Sequence, residues 1–183
     1  MTASRVRPAT ELELPAIVDI YIRAYSQPPW NEHHEPVSSE GYLRWVMQLP
    51  GTHCLLAVEH GGAGETITGF VLVGPRAYQD FVQDWERLAE RPPEGWPVLN
   101  GRLGYIWEIA VDPGAQRRGH GTAMLAAAID VLREQGVEIL VLRSSERATA
   151  AVGLYRRLGF QRLPVRERHD ALSGPWALRV STK

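Results

Sequence analysis

The stretch Ile109-Ala110-Val111-Asp112-Pro113-Gly114-Ala115-Gln116-Arg117-Arg118-Gly119-His120-Gly121-Thr122 limits the folds open to this chain more than any other. An apolar run that begins at Leu103 ends at Asp112-Pro113-Gly114. A second pair of glycines follows, and Leu125, Ala128, Ile129 and Leu132 then recur at helical spacing until Gly136. A strand feeding a helix through a glycine-rich turn is a building unit of α/β folds. The first N–H groups of such a helix have no helical partner and form an anion site, and glycines let the backbone approach a phosphate closely. No Gly-Lys-Ser/Thr closes the turn, so it is not a P-loop, and the spacing is not that of the dinucleotide fingerprint. Gly-x-Gly by itself is equally an ordinary tight turn.

The rest of the chain supplies elements for one sheet. Arg5 to Ala9 reads as a first strand, and Thr10 with Glu13 forms a capping-box pair ahead of Ile17, Ile20, Tyr21 and Ala24 at helical spacing. Ser38 or Ser39 is expected to cap a second helix carrying Tyr42, Leu43, Trp45 and Val46. Leu55 to Glu59 and Thr66 to Val73 read as a hairpin. Residues 75–101 read as an insertion with a short helix over Asp80–Glu90, followed by the Pro-rich stretch Arg91 to Pro97. Val137 to Leu142 is a buried strand, and Ser144 or Ser145 is expected to cap a helix with Ala151, Leu154, Tyr155 and Leu158 on one stripe. Two last strands, Phe160–Arg168 and Trp176–Val180, are expected to flank a turn at Leu172-Ser173-Gly174-Pro175. The order is β-α-α-β-β-β-α-β-α-β-β with the insertion before the fourth strand, a single α/β domain over 1–183.

Two pieces of this pattern, Gln116-x-x-Gly119-x-Gly121 after the Ile-Ala-Val-Asp-Pro strand and Leu154-Tyr155-Arg156-Arg157-Leu158-Gly159-Phe160 further on, resemble the GNAT superfamily of acetyl-CoA-dependent N-acetyltransferases. The resemblance is strongest over about residues 105–160, and Val6-Arg7-Pro8-Ala9-Thr10 at the start is also typical. It implies a mixed, mostly antiparallel central sheet with helices on both faces. Acetyl-CoA is implied as co-substrate. Its pyrophosphate would be gripped by the turn around Gln116, Arg117, Arg118, Gly119, His120, Gly121 and Thr122, and its pantetheine arm would pair with the main chain of Ile109, Ala110 and Val111. An N–H there also suits polarisation of the thioester carbonyl. The side chains of Arg117, Arg118 and His120 are as well read as a solvated basic turn.

Amine acetylation needs a group to take the amine's proton and an acid to protect the leaving thiolate. The resemblance gives the acid's role to Tyr155, which as a residue also fits a core aromatic. Glu108 is an acid inside an apolar strand, just ahead of the thioester-binding segment. That placement suits a base acting directly or through water; an outward-facing Glu or a partner for an Arg fits as well. Many relatives carry Asn where this chain has Ala148. Those acting on ribosomal-protein N-termini often carry Glu where it has Arg143, which argues against that subclass.

The acceptor is expected at the loop Pro28 to Glu35, where Trp30 offers a flat wall, Asn31 lies beside it and Glu32 or Glu35 can meet an ammonium. His33-His34 is a poor metal pair, and no metal is expected. The preferred acceptor is a small cationic amine attacked directly in a ternary complex; the runners-up are a protein lysine or N-terminus, or a non-catalytic acyl-CoA sensor. With 20 Lys and Arg against 21 Asp and Glu, the chain lacks the basic surface of a sequence-independent nucleic-acid binder. The single Cys54 excludes a disulfide framework and reads as core. No apolar run reaches membrane-span length and no signal-peptide core opens the chain, so a cytoplasmic protein is expected, without membrane partners. Exposed edges and the last strand pair permit a homodimer.

Overall fold

The computed structural model describes residues 5–62, 64–89 and 101–180. In chain order the elements are β1 (Arg5–Pro8), a 3-10 turn (Glu11–Glu13), α1 (Leu14–Tyr25), α2 (Pro36–Met47), β2 (His53–Gly61), β3 (Gly64–Arg76), α3 (Tyr78–Leu88), β4 (Leu103–Val111), a second 3-10 turn (Pro113–Ala115), α4 (His120–Glu134), β5 (Ile139–Ser145), α5 (Thr149–Arg157), β6 (Gln161–Arg162) and β7 (Ser173–Arg179). The strands form one sheet in the order β1-β2-β3-β4-β5-β7-β6. β4 and β5 run parallel, while β1–β2, β2–β3, β5–β7 and β6–β7 are antiparallel. This is the expected mixed sheet flanked by helices, in the expected element order.

The chain divides into two compact units, the residues up to Val73 with Trp107–Asp130, and Gly74–Ile106 with the chain from Val131 onward. In the first, Leu56 and Val58 of β2 and Phe70 and Leu72 of β3 bury alternate side chains against Leu14, Ile17, Val18, Ile20 and Tyr21 of α1 and Leu43 and Val46 of α2. Period two on the strands meets period 3.6 on the helices, as one buried face requires. Pro15 is accommodated at the start of α1, where its missing N–H has no partner to lose. The Thr10–Glu13 capping box forms, with the Thr10 N–H donating to Glu13 Oε2 at 2.7 Å, and it closes the 3-10 turn that leads into α1. In the second unit Phe81, Trp85 and Ala89 bury against Leu103, Ile139, Val141 and Val165.

Four local expectations are corrected. Pro36 begins α2, so Ser38 and Ser39 lie inside the helix and donate back to Glu35 O at 3.0 and 2.8 Å. A proline with its φ pre-set opens the helix at least three residues earlier than a serine cap would. Ser144 and Ser145 close β5 instead of capping α5, which starts at Thr149 after Ala148. The strand expected over Phe160–Arg168 is cut to Gln161–Arg162, next to Pro164, which has no N–H to give a ladder. Finally, Ser173, Gly174 and Pro175 belong to β7, opposite Ser145, Ser144 and Arg143. Gly174 is there because a Cβ would lie 2.6 Å from the Val165 carbonyl oxygen, a close approach and not a turn. The Pro-rich stretch from Arg91 to Pro97, with Trp96, lies outside the described residues.

Candidate active site

At the end of β4 the Asp112 N–H donates to Thr68 O at 2.8 Å, and Asp112 Oδ1 accepts from the Gly114 N–H at 2.8 Å. Its other oxygen meets Arg23 at 2.7 Å. The Asp-Pro-Gly segment thereby folds into a single 3-10 turn. Arg117 (φ 64°) and Gly119 (φ 92°) then turn the chain through the left-handed region, so that α4 begins at His120. A left-handed arginine costs about 1 kcal/mol, and neighbouring contacts hold it. Arg118 donates to Gly114 O at 3.1 Å and reaches Glu59 at 3.4 Å, and His120, only 2% exposed, places Nε2 2.9 Å from the other Glu59 oxygen. One carboxylate of β2 therefore tethers two consecutive corners of the turn.

This arrangement reassigns side chains that the sequence left open. The rings and guanidinium groups of His120 and Arg118 serve the turn itself, while Arg117, Gln116 and Thr122 are exposed and Gly121 is half-buried. The Ala123 N–H bonds back to Gly119 O at 3.0 Å, at the start of the fifteen-residue helix α4, and a helix start is where backbone N–H groups suit an anion. A Cβ on Gly119 would meet nothing within 4 Å; the glycine is needed for its φ, and the space beside it is open. On β3, by contrast, a Cβ on Gly69 would stand 2.7 Å from Ala110 O and 3.0 Å from Met124 Cε, so β3 presents a bare backbone where β4 runs into the turn. Ile109 and Val111 are half-buried and Ala110 is buried, alternating as a strand does.

Glu108 projects into a different environment in the same unit. Tyr25, last residue of α1, donates its phenol proton to Glu108 Oε2 at 2.6 Å, and Tyr42, in the middle of α2, donates to Oε1 at 2.8 Å. Tyr21, one helical turn before Tyr25, lies with its ring centroid 4.8 Å from that of Tyr25 and 6.3 Å from that of Tyr42. Burial pushes the Tyr21 phenol well above the ordinary range, and the charges of Glu108 and Glu32 push it further. His34 stacks 4.7 Å from Tyr21, Trp30 lies 5.8 Å from Tyr25, and Trp45 6.3 Å from Tyr42.

Of the expected loop residues, Trp30 and Glu32 join this cluster. Glu32 pairs with His34 at 2.8 Å and its N–H donates to Tyr25 O at 2.9 Å. Asn31 is exposed with φ 48°, its N–H bonded to Gln27 O at 3.1 Å. The sequence alone does not pair Tyr25 or Tyr42 with Glu108: Tyr42 reads only as one residue of the second helix, and Tyr25 carries no reading of its own. The available signal was chemical: tyrosines recur at Tyr21, Tyr25 and Tyr42, on helix faces where leucine or phenylalanine would pack as well.

The second unit holds Tyr155, 5% exposed on α5, its ring 5.7 Å from Phe160 and its carbonyl accepting the Phe160 N–H at 3.0 Å. Gly159 at φ 92° closes the helix between them. Arg143 grips the buried Glu167 through two bonds of 2.6 Å. Glu108 and Tyr155 thus belong to different compact units. Among the described residues no three His, Cys, Asp or Glu side chains stand close enough to hold a metal, and no helix is long and apolar enough to cross a membrane.

The model of the acetyltransferase (GNAT) family matches residues 14–160, a span that includes both the β4–α4 turn and the Tyr155 helix. The chain belongs to the GNAT family. Family relatives of similar sequence include the mycothiol acetyltransferase of Salinispora tropica, 39% identical over 95 residues, which are 51% of this chain and 29% of the relative. The ribosomal protein bS18-alanine N-acetyltransferase of Escherichia coli K12 is 41% identical over 64 residues, 35% of this chain and 43% of the relative. This GNAT chain therefore spans less than half the length of the curated relatives it matches. Solved structures extend the likeness to the whole fold: yncA from Salmonella typhimurium with its cofactor acetyl-CoA gives a TM-score of 0.67 at 19% identity, covering 99% of this chain and 96% of that one.

Proposed function

We propose that this chain transfers an acetyl group from acetyl-CoA to a primary amine, preferably that of a small cationic molecule, by direct attack. The observation that carries the reading is the β4–α4 unit: a helix start with open space beside Gly119 follows a strand whose acid, Glu108, is held by two phenols. The turn suits acetyl-CoA because its side chains are tied inward to Glu59 while main-chain donors and the exposed Arg117 remain at its rim. Phosphate is gripped by N–H groups, and the pantetheine arm follows Ile109, Ala110 and Val111. The ladder of β4 with β5 covers Leu103–Ile106 only, which supports that use of the strand's second half.

The amine enters as an ammonium and must lose a proton before it can attack. Glu108 takes that proton directly or through water. The neutral nitrogen bonds to the thioester carbonyl carbon, the C–S bond breaks, and the sulfur leaves with its electron pair. Tyr155 gives that sulfur its proton, and the second proton that the nitrogen sheds as the amide forms restores the Tyr155 phenol through solvent. The amide and free CoA are the products, and no acyl-enzyme forms. Burial pushes the Cys54 thiol up to about 12, which suits a core residue and not a nucleophile. The aromatic faces of Tyr25, Trp30 and Tyr42 and the carboxylates of Glu32 and Glu108 favour a cationic acceptor.

A second reading, a peptide N-terminus as acceptor, is favoured by the local likeness to the bS18-alanine enzyme. CoA release is to be measured with spermidine, tyramine and an alanine-initiated hexapeptide. Turnover is expected with spermidine or tyramine, and Tyr155→Phe, which keeps the ring, should lower kcat by about 10- to 1000-fold with little change in acetyl-CoA affinity. Hexapeptide turnover alone would replace the preferred acceptor, and silence with all three would remove the transferase reading.

A further inference from the structure

We infer that Tyr25 and Tyr42 are positioning residues that hold the Glu108 carboxylate in one orientation for the acceptor amine. The inference rests on the transferase reading above. Its basis is the distribution of the two hydrogen bonds. Each phenol comes from a different helix and takes a different oxygen, 2.6 Å to Oε2 and 2.8 Å to Oε1, so rotation of the carboxylate breaks both bonds together. A half-buried glutamate on a strand has three side-chain torsions to fix, and a single donor would leave the last of them soft.

The two donors are themselves set by packing. Tyr25 is the final residue of α1 and leans on Tyr21 and Trp30. Tyr42 lies between Tyr21 and Trp45. Phenylalanine would pack equally well at both positions, and only the hydroxyl reaches Glu108. Among the described residues, the titratable groups around this carboxylate include Tyr21 and Tyr25 from α1, Tyr42 from α2, and Glu32 with its partner His34 from the connecting loop. Hydrogen bonds donated to a charged carboxylate favour that form. The phenols therefore keep Glu108 a proton acceptor as well as a fixed one.

The test compares Tyr25→Phe, Tyr42→Phe, the double variant and Glu108→Gln in the full chain, with the same three amines. Each single change should lower kcat/KM for the amine about tenfold. The double variant should fall to within about threefold of Glu108→Gln, and neither Phe should cost anything further in the Glu108→Gln background. The acetyl-CoA KM and the melting temperature should stay near the parent's. Parental kcat/KM in a folded double variant, or losses that simply multiply on the Glu108→Gln background, would overturn the inference. If the parent itself acetylates none of the amines, the transferase reading fails on its own. The positioning is then judged by 13C NMR of the labelled Glu108 carboxyl, whose titration midpoint should rise in the double variant; an unmoved midpoint overturns it.

Discussion

The turn that opens α4 and the cluster around Glu108 are built on opposite plans within one compact unit. In the turn, Arg118 and His120 both close on Glu59, and the exposed rim combines backbone with Gln116, Arg117 and Thr122. In the cluster, backbone is spent on helices and a strand, and side chains from two helices converge on one carboxylate of the strand. A backbone site recognises a phosphate by geometry common to any such turn. A side-chain site can be changed one residue at a time without disturbing the fold. That difference suits a constant co-substrate in the first place and a variable acceptor in the second.

The largest effect should come from attacking the backbone plan directly. Gly119→Asp puts a side chain at φ 92° and a negative charge at the helix start, and acetyl-CoA affinity measured by calorimetry should drop at least about a hundredfold. Unchanged affinity in a folded variant would show that the turn does not hold the phosphates. A smaller loss should follow Glu59→Gln, which keeps the shape but weakens both tethers. The acetyl-CoA KM should rise about 3- to 10-fold while the amine KM stays put. Equal changes in both would erase the proposed division of labour.

The smallest effect concerns neither site. Arg7, bonded to Glu13 and Glu65, holds the Glu13 carboxyl down at about 2. A carboxyl lowered on folding adds stability above its unfolded pKa and loses it as pH falls, here from about 4.5 towards 2. The melting temperature of the parent should therefore fall a few degrees more than that of Glu13→Gln across this window, and acetyl-CoA affinity at neutral pH should not differ.

The same contrast explains what could be read from the chain before its structure. The turn was legible because its requirements are local: Asp-Pro-Gly, then Gly-x-Gly, then a helical stripe. β4 was legible to the residue, as an apolar run between polar breaks. Helix starts were misplaced where proline took precedence over serine at α2, and where β5 ran through Ser144 and Ser145. Gly174-Pro175 read as a turn because nothing local reveals that Val165 O will press against that glycine. The partners of Glu108 were illegible for the same reason. Tyr25 and Tyr42 stand 83 and 66 residues away in the chain, and nothing local to either announces so remote a partner.

Glu59 pairs with Thr66 in the β2–β3 hairpin, two pairs before the ladder ends at Gly61 and Gly64. Hairpin tips are ordinarily where a protein tolerates length changes most freely. In this chain two ladder pairs separate the tip from the carboxylate that shapes the α4 turn. A one-residue slip of β2 against β3 would swing the Glu59 side chain to the opposite face of the sheet and release both tethers. The register of a hairpin remote in sequence from the glycine motif is thereby tied to the shape of that motif.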